Sequence, residues 1–328
     1  MHRVDHLTRR VAAGLLAAVG FALCGWAVAQ TYPTKPIRYI VPFGPGTGSD
    51  VLGRVIALKL SEQMGQSVVI DNRPGASGAV GTEMGAKAAP DGYTLTLATN
   101  ATMITYPNLT TVNYRVATDF VPVALFARTS MLLVTANQPA NPKSVAELIA
   151  QTRAKRISFA SNGAGTIGHL TSELFLRKSG LEATHVAYKG SGQSHTDVIR
   201  GELLFMVDTP VATLPQVRGG RMRALAVTGN ERLPTLPDVP TFAEAGVPDL
   251  RLYAWWGTFA PKQTPAAIVR RLHDETLKAV QAPETTTRLK AMELEQFQMP
   301  VAKYAGFIEE EWRFWQGFLR QSGIRLDP

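Results

Sequence analysis

Two glycine-rich turns, each placed between an apolar strand and a helix, constrain the fold of this chain most. The first, Gly44 to Gly48, follows a predicted strand at 37–41 and precedes a predicted helix at 50–64. The second, Ser161 to Thr166, follows a predicted strand at 157–160 and precedes a predicted helix at 168–179. Apolar residues recur at helical spacing after the first turn. Repeated strand–helix alternation is typical of an α/β protein with a mainly parallel sheet, and two such turns indicate two similar lobes.

The same alternation continues along the chain. Further strands are predicted at 67–71, 93–98, 131–136, 185–188, 203–207, 224–228 and 253–259. Further helices are predicted at 79–88, 145–152, 194–200, 211–219, 266–282 and 301–322. Ligands of open α/β sheets bind beyond the carboxyl ends of the strands, where helices begin. If the two turns face each other, the N–H groups of both helix starts point into one cleft, which favours an anion.

The first thirty residues have the layout of a cleaved secretory signal. Arg3, Arg9 and Arg10 precede an apolar run at 11–23, and Ala27-Val28-Ala29 offers small residues to a signal peptidase. The run is shorter than the about 20 residues that a spanning helix needs. The sequence therefore predicts a signal peptide at 1–29 and a periplasmic mature protein. An uncleaved anchor, lipid attachment at Cys24 and a twin-arginine rather than a general export route are the alternatives.

The composition excludes several kinds of site. Cys24 is the single cysteine of the 328 residues, so the mature chain has no disulfide, no thiolate nucleophile and no cysteine metal site. The mature histidines (His169, His185, His195 and His273) show no metal-ligand spacing. Without its signal the chain keeps a net charge of +6, spread along its length, and it has no nucleic-acid-reading motif. We expect no metal, no cofactor and no nucleic-acid partner.

Two motifs resemble those of enzymes but lack their context. Residues 163–168 read G-x-G-x-x-G, yet the strand that should end in an acidic residue ends at Tyr188-Lys189, which disfavours a dinucleotide. Residues 75–79 fail the last position of the G-x-S-x-G nucleophile elbow. The sequence gives no argument for an enzyme.

The turns themselves carry the candidate ligand contacts. Ser161, Asn162 and Thr166 add hydroxyl and amide donors to the free N–H groups of the second turn, which suits a carboxylate. Two roles stay open for Asp50, a helix N-cap or a cleft-lining group. Phe43 is either core or an apolar wall for the ligand. Trp255-Trp256 is more typical of core or interlobe packing than of ligand stacking.

The chain resembles the Bug/TctC family of extracytoplasmic solute receptors, the substrate-binding proteins of tripartite tricarboxylate transporters. The resemblance covers essentially the whole mature chain. Its motifs are Lys35-Pro36-Ile37, Val41-Pro42-Phe43, the glycine-rich loop that ends at Asp50, Asn72-Arg73-Pro74-Gly75-Ala76, Pro90-Asp91-Gly92-Tyr93-Thr94, Ala187-Tyr188-Lys189-Gly190, Leu225-Ala226-Val227-Thr228, Pro237-Asp238-Val239-Pro240-Thr241 and Glu244-Ala245-Gly246.

This resemblance implies a type II periplasmic-binding-protein fold with two α/β lobes and a ligand cleft between them. Lobe 1 would comprise 30–130 and 254–328, lobe 2 would comprise 131–253, and the crossings would lie near 128–132 and 253–256. Carboxylates would be held by backbone N–H groups, hydroxyls and water. The implied and candidate ligand contacts together are Phe43, Thr47, Gly48, Ser49, Asp50, Asn100, Ser161, Asn162, Gly163, Thr166, His169, Tyr188 and Asp208.

The function expected from these features is hinge closure on a small carboxylate and its delivery to the transporter's membrane subunits. The receptor is expected to be a monomer. A second possibility is presentation of the ligand to a sensor kinase, and a third is an exported enzyme. The sequence leaves the ligand open among amino acids, di- or tricarboxylates and aromatic acids, and Phe43 favours a ligand with an apolar body.

Overall fold

The computed structural model describes residues 32–250, 252–322 and 324, and the strands within this part form two sheets. The predicted signal peptide and its cleavage site lie outside the described residues. The first sheet contains β1 (Ile37–Val41), β2 (Val68–Asn72), β3 (Thr94–Thr99), β4 (Phe120–Ser130), β10 (Tyr253–Pro261) and β11 (Glu295–Gln296). The second contains β5 (Leu132–Ala136), β6 (Ser158–Ser161), β7 (Thr184–Ala187), β8 (Phe205–Asp208) and β9 (Met222–Val227).

Helices flank both sheets. They are α1 (Gly48–Met64), α2 (Ala79–Ala86), α3 (Tyr106–Leu109), α4 (Val116–Asp119), α5 (Val145–Ala154), α6 (Ile167–Lys178), α7 (Ser191–Arg200), α8 (Pro210–Arg218), α9 (Ala266–Gln281), α10 (Pro283–Ala291) and α11 (Val301–Ser322). A short 3₁₀ turn spans Ala76–Gly78, and a π-helical turn spans Ala101–Thr105. None of the helices in the described ranges is long and apolar enough to cross a membrane.

The two sheets repeat one strand order. The first runs β2-β1-β3-β10-β4-β11, and the second runs β7-β6-β8-β5-β9. In each, three strands pair in parallel, and a strand from a crossing segment (β10 or β5) then pairs antiparallel with its neighbours on both sides. The α/β class is confirmed, but the expectation of mainly parallel sheets is wrong. Strands β5 and β10 run antiparallel to their neighbours because the chain enters each of them directly from the other sheet.

The crossings between the sheets lie side by side. The chain leaves the first sheet at Ser130, passes through Met131 and enters the second sheet at Leu132. It returns along β10, which starts at Tyr253. Thr228, just after the last strand of the second sheet, accepts the Met131 N–H on its hydroxyl oxygen (2.8 Å) and donates to the Leu252 carbonyl. One threonine therefore ties both crossing segments together.

The sequence did not predict five elements: the short helices α3 and α4, the strands β4 and β11, and the helix α10. It predicts nothing over 120–130, where the structure has the long strand β4, and nothing over 283–291, where it has α10. Buried residues occupy both faces of the middle of β4, from Val123 to Ala127. A strand covered on both faces has no period-two alternation, so its sequence cannot be distinguished from that of a buried helix.

Candidate functional site

The two glycine-rich turns fold as one repeated structure. Each follows the central strand of its parallel set, and each reads Gly-x-Gly-Thr: Gly44 to Thr47, and Gly163 to Thr166. Both threonines are helix N-caps with nearly the same backbone angles (φ −71°, ψ 158° and φ −71°, ψ 160°). Each hydroxyl also donates to the carbonyl of the first glycine, at 2.9 Å and 2.7 Å.

A side chain in the first turn of each helix locks the turn from within. The Gly46 N–H donates to Asp50 Oδ2 at 3.0 Å, and the Gly165 N–H donates to His169 Nδ1, also at 3.0 Å. These two glycines have left-handed backbones (φ 80° and 75°), which glycine adopts at low cost. Asp50 and His169, both predicted as ligand contacts, therefore occupy equivalent positions and hold their own loops in place.

Equivalent strand ends of the two sheets enclose one cavity of about 50 Å³. The ends of β1 and β3 contribute from the first sheet, and the ends of β6 and β8 contribute from the second. The crossing segments close the remaining wall. The lining residues are Phe43, Thr47, Gly48, Ser49, Thr99, Asn100, Ala101, Met131, Asn162, Thr166, Ile167, Asp208, Thr209, Ala254, Trp255 and Trp256.

The starts of two helices supply donors to this cavity. The N–H groups in the first turn of a helix have no acceptor within the helix. The threonine caps satisfy only the N–H of Asp50 and the N–H of His169. The backbone of Gly48 and Ser49 in α1, and that of Ile167 in α6, therefore offers donors at the cavity wall, at the positive ends of both helix dipoles.

The crossing strand β10 supplies the apolar wall. Trp255 and Trp256 are both 2% exposed, and the Trp256 indole N–H donates to Ser49 Oγ at 2.9 Å. Asn100 fixes this strand, because its amide donates to the Tyr253 carbonyl (3.1 Å) and accepts the Trp255 N–H (2.9 Å). The tryptophans were expected to pack in the core or between lobes; both are buried, and both also line the cavity. Only their apolar character was visible in the sequence.

Eight of the predicted site residues line the cavity and five do not. Those that line it are Phe43, Thr47, Gly48, Ser49, Asn100, Asn162, Thr166 and Asp208. Asp50 and His169 lie behind the turns. The Ser161 hydroxyl, fully buried, donates to the Gly163 carbonyl (2.9 Å), so both residues serve the turn. The Tyr188 hydroxyl donates to Asp197 (2.6 Å), and burial together with this carboxylate raises the pKa of Tyr188 to about 12.

Two stacked imidazoles support the second turn. The His169 and His185 rings lie 3.8 Å apart at an angle of 16°, and His185 Nε2 pairs with Ser161 Oγ at 2.7 Å. Burial, reinforced by the neighbouring His169, lowers the pKa of His185 to about 3. His185 is therefore neutral at physiological pH. Since His169 Nδ1 accepts a hydrogen bond, its proton lies on Nε2.

Asp208 is the acidic group of the cavity wall. It is 1% exposed, and Oδ1 accepts the Thr209 N–H (2.7 Å) and the Asn162 amide (3.3 Å). Its Oδ2 pairs with His195 Nε2 at 3.1 Å. These partners hold the carboxylate in place and leave it little freedom to reorient. Among the described residues that line the cavity, none is lysine or arginine. Nor do the described ranges contain a cluster of His, Cys, Asp or Glu suited to a metal ion.

Comparison with known proteins gives this architecture a family. The family "Tripartite tricarboxylate transporter family receptor" matches residues 52–324. Protein BugT of Bordetella pertussis is 36% identical over 325 residues, covering 95% of this chain and 98% of BugT.

Two solved structures are similar over most of the chain. R. palustris Rpa4515 with adipate has a TM-score of 0.86 and 35% identity, covering 90% of this chain and 99% of that one. MatC from Rhodopseudomonas palustris with bound malate has a TM-score of 0.82 and 30% identity, covering 87% of this chain and 99% of that one. With the repeated strand order, these likenesses establish the type II periplasmic-binding-protein fold. The chain belongs to the receptor family of the tripartite tricarboxylate transporters.

Proposed function

We propose that this protein is a periplasmic receptor that captures a small carboxylate between its two lobes and delivers it to a tripartite tricarboxylate-type transporter in the membrane. One observation carries the proposal: two equivalent Gly-x-Gly-Thr turns direct two helix starts at one cavity between the sheets. Such helix starts favour an anion. The apolar wall formed by Phe43, Trp255 and Trp256 suits the carbon skeleton of an organic acid rather than an inorganic ion.

The chemistry of recognition is that of N–H and hydroxyl donors. A carboxylate accepts up to four hydrogen bonds, and bonds to a charged group contribute about 1.5–3 kcal/mol each. Among the cavity-lining residues, the backbone of Gly48 and Ser49, the Ser49 hydroxyl and the Asn162 amide can supply these donors. Because the wall has no cationic side chain among its described residues, the helix starts supply the positive potential.

The relatives support an organic acid as the ligand. Rpa4515 was solved with adipate and MatC with malate, both dicarboxylates. We infer that the present receptor also takes a di- or monocarboxylate with an apolar body. Asp208 would then accept from a ligand hydroxyl or ammonium group, or from a bridging water, rather than meet a second carboxylate directly.

Hinge motion would admit this ligand. A cavity of about 50 Å³ is far smaller than the roughly 300–1,000 Å³ of ordinary ligand pockets. The lobes, which we propose to be 30–130 with 254–328 and 131–253, would separate about the neighbouring segments at 128–132 and 253–256. We propose that the mature receptor starts after a signal peptide at 1–29, acts as a monomer and has no catalytic activity of its own.

A thermal-shift screen tests the proposed function. Residues 30–328 are purified, unfolded and refolded to remove bound ligand, and heated with a panel of aliphatic, amino and aromatic carboxylates. A ligand at 100 times its dissociation constant stabilises the protein by about 2.7 kcal/mol, which raises the midpoint by several degrees. Failure of every carboxylate to shift the midpoint would refute the proposal.

A pair of matched variants then tests the site. Asn162→Ala removes an amide from the cavity wall, and we expect at least tenfold weaker binding because one bond to a charged group is lost. Asn137→Ala removes an amide that bonds the Gly220 carbonyl at the surface of the same lobe, so it serves as the control. Equal affinity of the two variants for the ligand would remove Asn162 from the site.

A further inference from the structure

Two hydroxyl groups reach from the first lobe to the second glycine-rich turn. The Ser77 hydroxyl donates to the Ala164 carbonyl, and the Thr105 hydroxyl donates to the Gly165 carbonyl at 2.6 Å. Ser77 lies in the 3₁₀ turn Ala76–Gly78, and Thr105 ends the π-helical turn. Neither residue lines the cavity. They hold two successive carbonyls of a turn that belongs to the other sheet.

We propose that Ser77 and Thr105 form a latch that retains the ligand by holding the second turn against the first lobe. The inference rests on the proposed function and adds two positioning residues to it. Both bonds join the lobes, so both break when the lobes separate, whereas the bonds within each turn persist. The latch therefore stabilises the closed form alone, and it slows release of the ligand rather than its entry.

Both partners of the hydrogen bond between Thr105 and Gly165 are connected through the backbone to residues that line the cavity. The π-helical turn that ends at Thr105 starts directly after Asn100, which lines the cavity. On the other side, Gly165 directly precedes Thr166, which also lines it. Thr105 is fully buried and Gly165 is buried, so in the closed form water has little access to their hydrogen bond. A ligand that draws the two walls together brings the latch partners together as well.

The backbone at Ser77 is strained in the way expected of a functional contact. Ala76 (φ 44°) and Ser77 (φ 51°) are consecutive non-glycine residues in the left-handed region, each at a cost of about 1–2 kcal/mol. Glycine would adopt this shape more easily but would have no hydroxyl. The opposing turn has a glycine at the point of approach. A Cβ at Gly163 would lie 3.0 Å from Ser77 Oγ, which is tighter than an ordinary contact, so the Ser77 side chain would have to shift.

Ligand release measures the latch directly. Wild type, Ser77→Ala, Thr105→Val and the double variant are titrated with adipate, malate and the acids that shift the wild-type midpoint. Dissociation is followed by stopped-flow tryptophan fluorescence, because Trp255 and Trp256 lie at the cavity. From the usual net contribution of one hydrogen bond, we expect about fivefold faster dissociation for each single variant, and faster dissociation still for the double variant. The association rate should change by less than twofold.

Conservative and control variants separate a latch from a merely structural role. Thr105→Ser keeps the hydroxyl and should restore slow release, and Ser77→Gly should release fast without backbone strain even if Ser77→Ala folds poorly. Thr152→Val is the matched control, because its buried hydroxyl donates to Leu148 within one helix (2.8 Å). It should cost comparable stability and leave release unchanged.

The outcomes separate the two proposals. Wild-type release rates in Ser77→Ala and Thr105→Val would overturn the latch while the receptor function stands. Equal acceleration by Thr152→Val would also overturn it, since the effect would then be one of general stability. If the wild-type protein binds none of the acids, the receptor function fails first, and the latch fails with it as a device for retaining a carboxylate.

Discussion

Replacing Asp50 by asparagine tests whether the first glycine-rich turn is held from within. Asp50 is 4% exposed. Its Oδ1 accepts from the Asn72 amide (2.9 Å) and from Arg54 (3.0 Å), and its Oδ2 accepts the Gly46 N–H (3.0 Å). Asparagine has the same shape but only one acceptor oxygen. Its amide nitrogen must therefore face a donor, either Gly46 or the Asn72–Arg54 pair.

The expected cost follows from these contacts. Loss of one hydrogen bond to a charged group costs about 1.5–3 kcal/mol. Arg54 has a side chain that is 55% exposed, so its ion pair with Asp50 adds less than about 1 kcal/mol. We expect Asp50→Asn to reduce the free energy of unfolding by about 2 kcal/mol, which lowers the melting midpoint by about 4 °C in a chain of this length. Ligand affinity should fall as well, because Gly48 and Ser49 follow this turn.

The effect should depend on pH with a defined sign. Burial raises the pKa of Asp50, but the hydrogen bonds from Arg54, Gly46 and Asn72 outweigh it, so the pKa lies below its usual value. A carboxyl whose folded pKa is lowered contributes its stability above the unfolded pKa of about 4 and loses it as the pH falls through the folded pKa. The difference between wild type and variant should therefore be full at pH 7 and shrink below pH 4.

Calorimetry at several pH values between 3 and 8 measures this difference. Asp274→Asn is the matched control, because Asp274 is an exposed carboxylate on α9. We expect the control to stay within about 0.5 kcal/mol of wild type, as most surface substitutions do. An Asp50→Asn midpoint equal to that of the control at pH 7, or a deficit that persists unchanged at pH 3, would refute the reasoning.

Three further predictions concern other parts of the site. His185→Gln should make the melting midpoint depend less on pH between pH 6.5 and pH 4. The pKa of His185 is lowered to about 3 in the folded protein, so the folded state loses stability as the pH falls through this range. An equal fall of the midpoint in wild type and variant would contradict this. Gly168→Ala should destabilise by at least about 3 kcal/mol in thermal unfolding, since its Cβ would lie 2.3 Å from the Val207 carbonyl oxygen, and a midpoint within 2 °C of wild type would show that α6 can shift. Trp256→Phe should weaken carboxylate binding about threefold to tenfold in titration calorimetry through loss of the bond to Ser49, whereas unchanged affinity would remove this bond from the site.

Local features of the site could be predicted from the sequence because they depend on near neighbours. The two turns, their helix starts and the position of Asp50 beside the first turn follow from glycine, threonine and strand–helix spacing. The sequence left the role of Asp50 open between a cap and a ligand contact. In the structure Asp50 has a third role. Thr47 is the helix cap, and the Asp50 carboxylate accepts the Gly46 N–H within the turn.

Other features depend on contacts between distant parts of the chain. Trp256 reaches Ser49 across 207 residues, and Ser77 reaches Ala164 across 87. No spacing in the sequence indicates such pairs, since the first forms only after the chain has returned to the first sheet along β10, and the second joins the two sheets. The same crossings create the antiparallel pairs that make both sheets mixed.

The sequence by itself determined the α/β class, the two Gly-x-Gly-Thr turns and the resemblance to a receptor family, because each is encoded in short runs of residues. Only the tertiary structure decided which side chains face the cavity. Asp50, Ser161 and His169 belong to the same turns as the lining residues, yet they point into the loops that they support. The direction of a side chain at a turn depends on which buried donors and acceptors it must satisfy, and the fold alone places those groups.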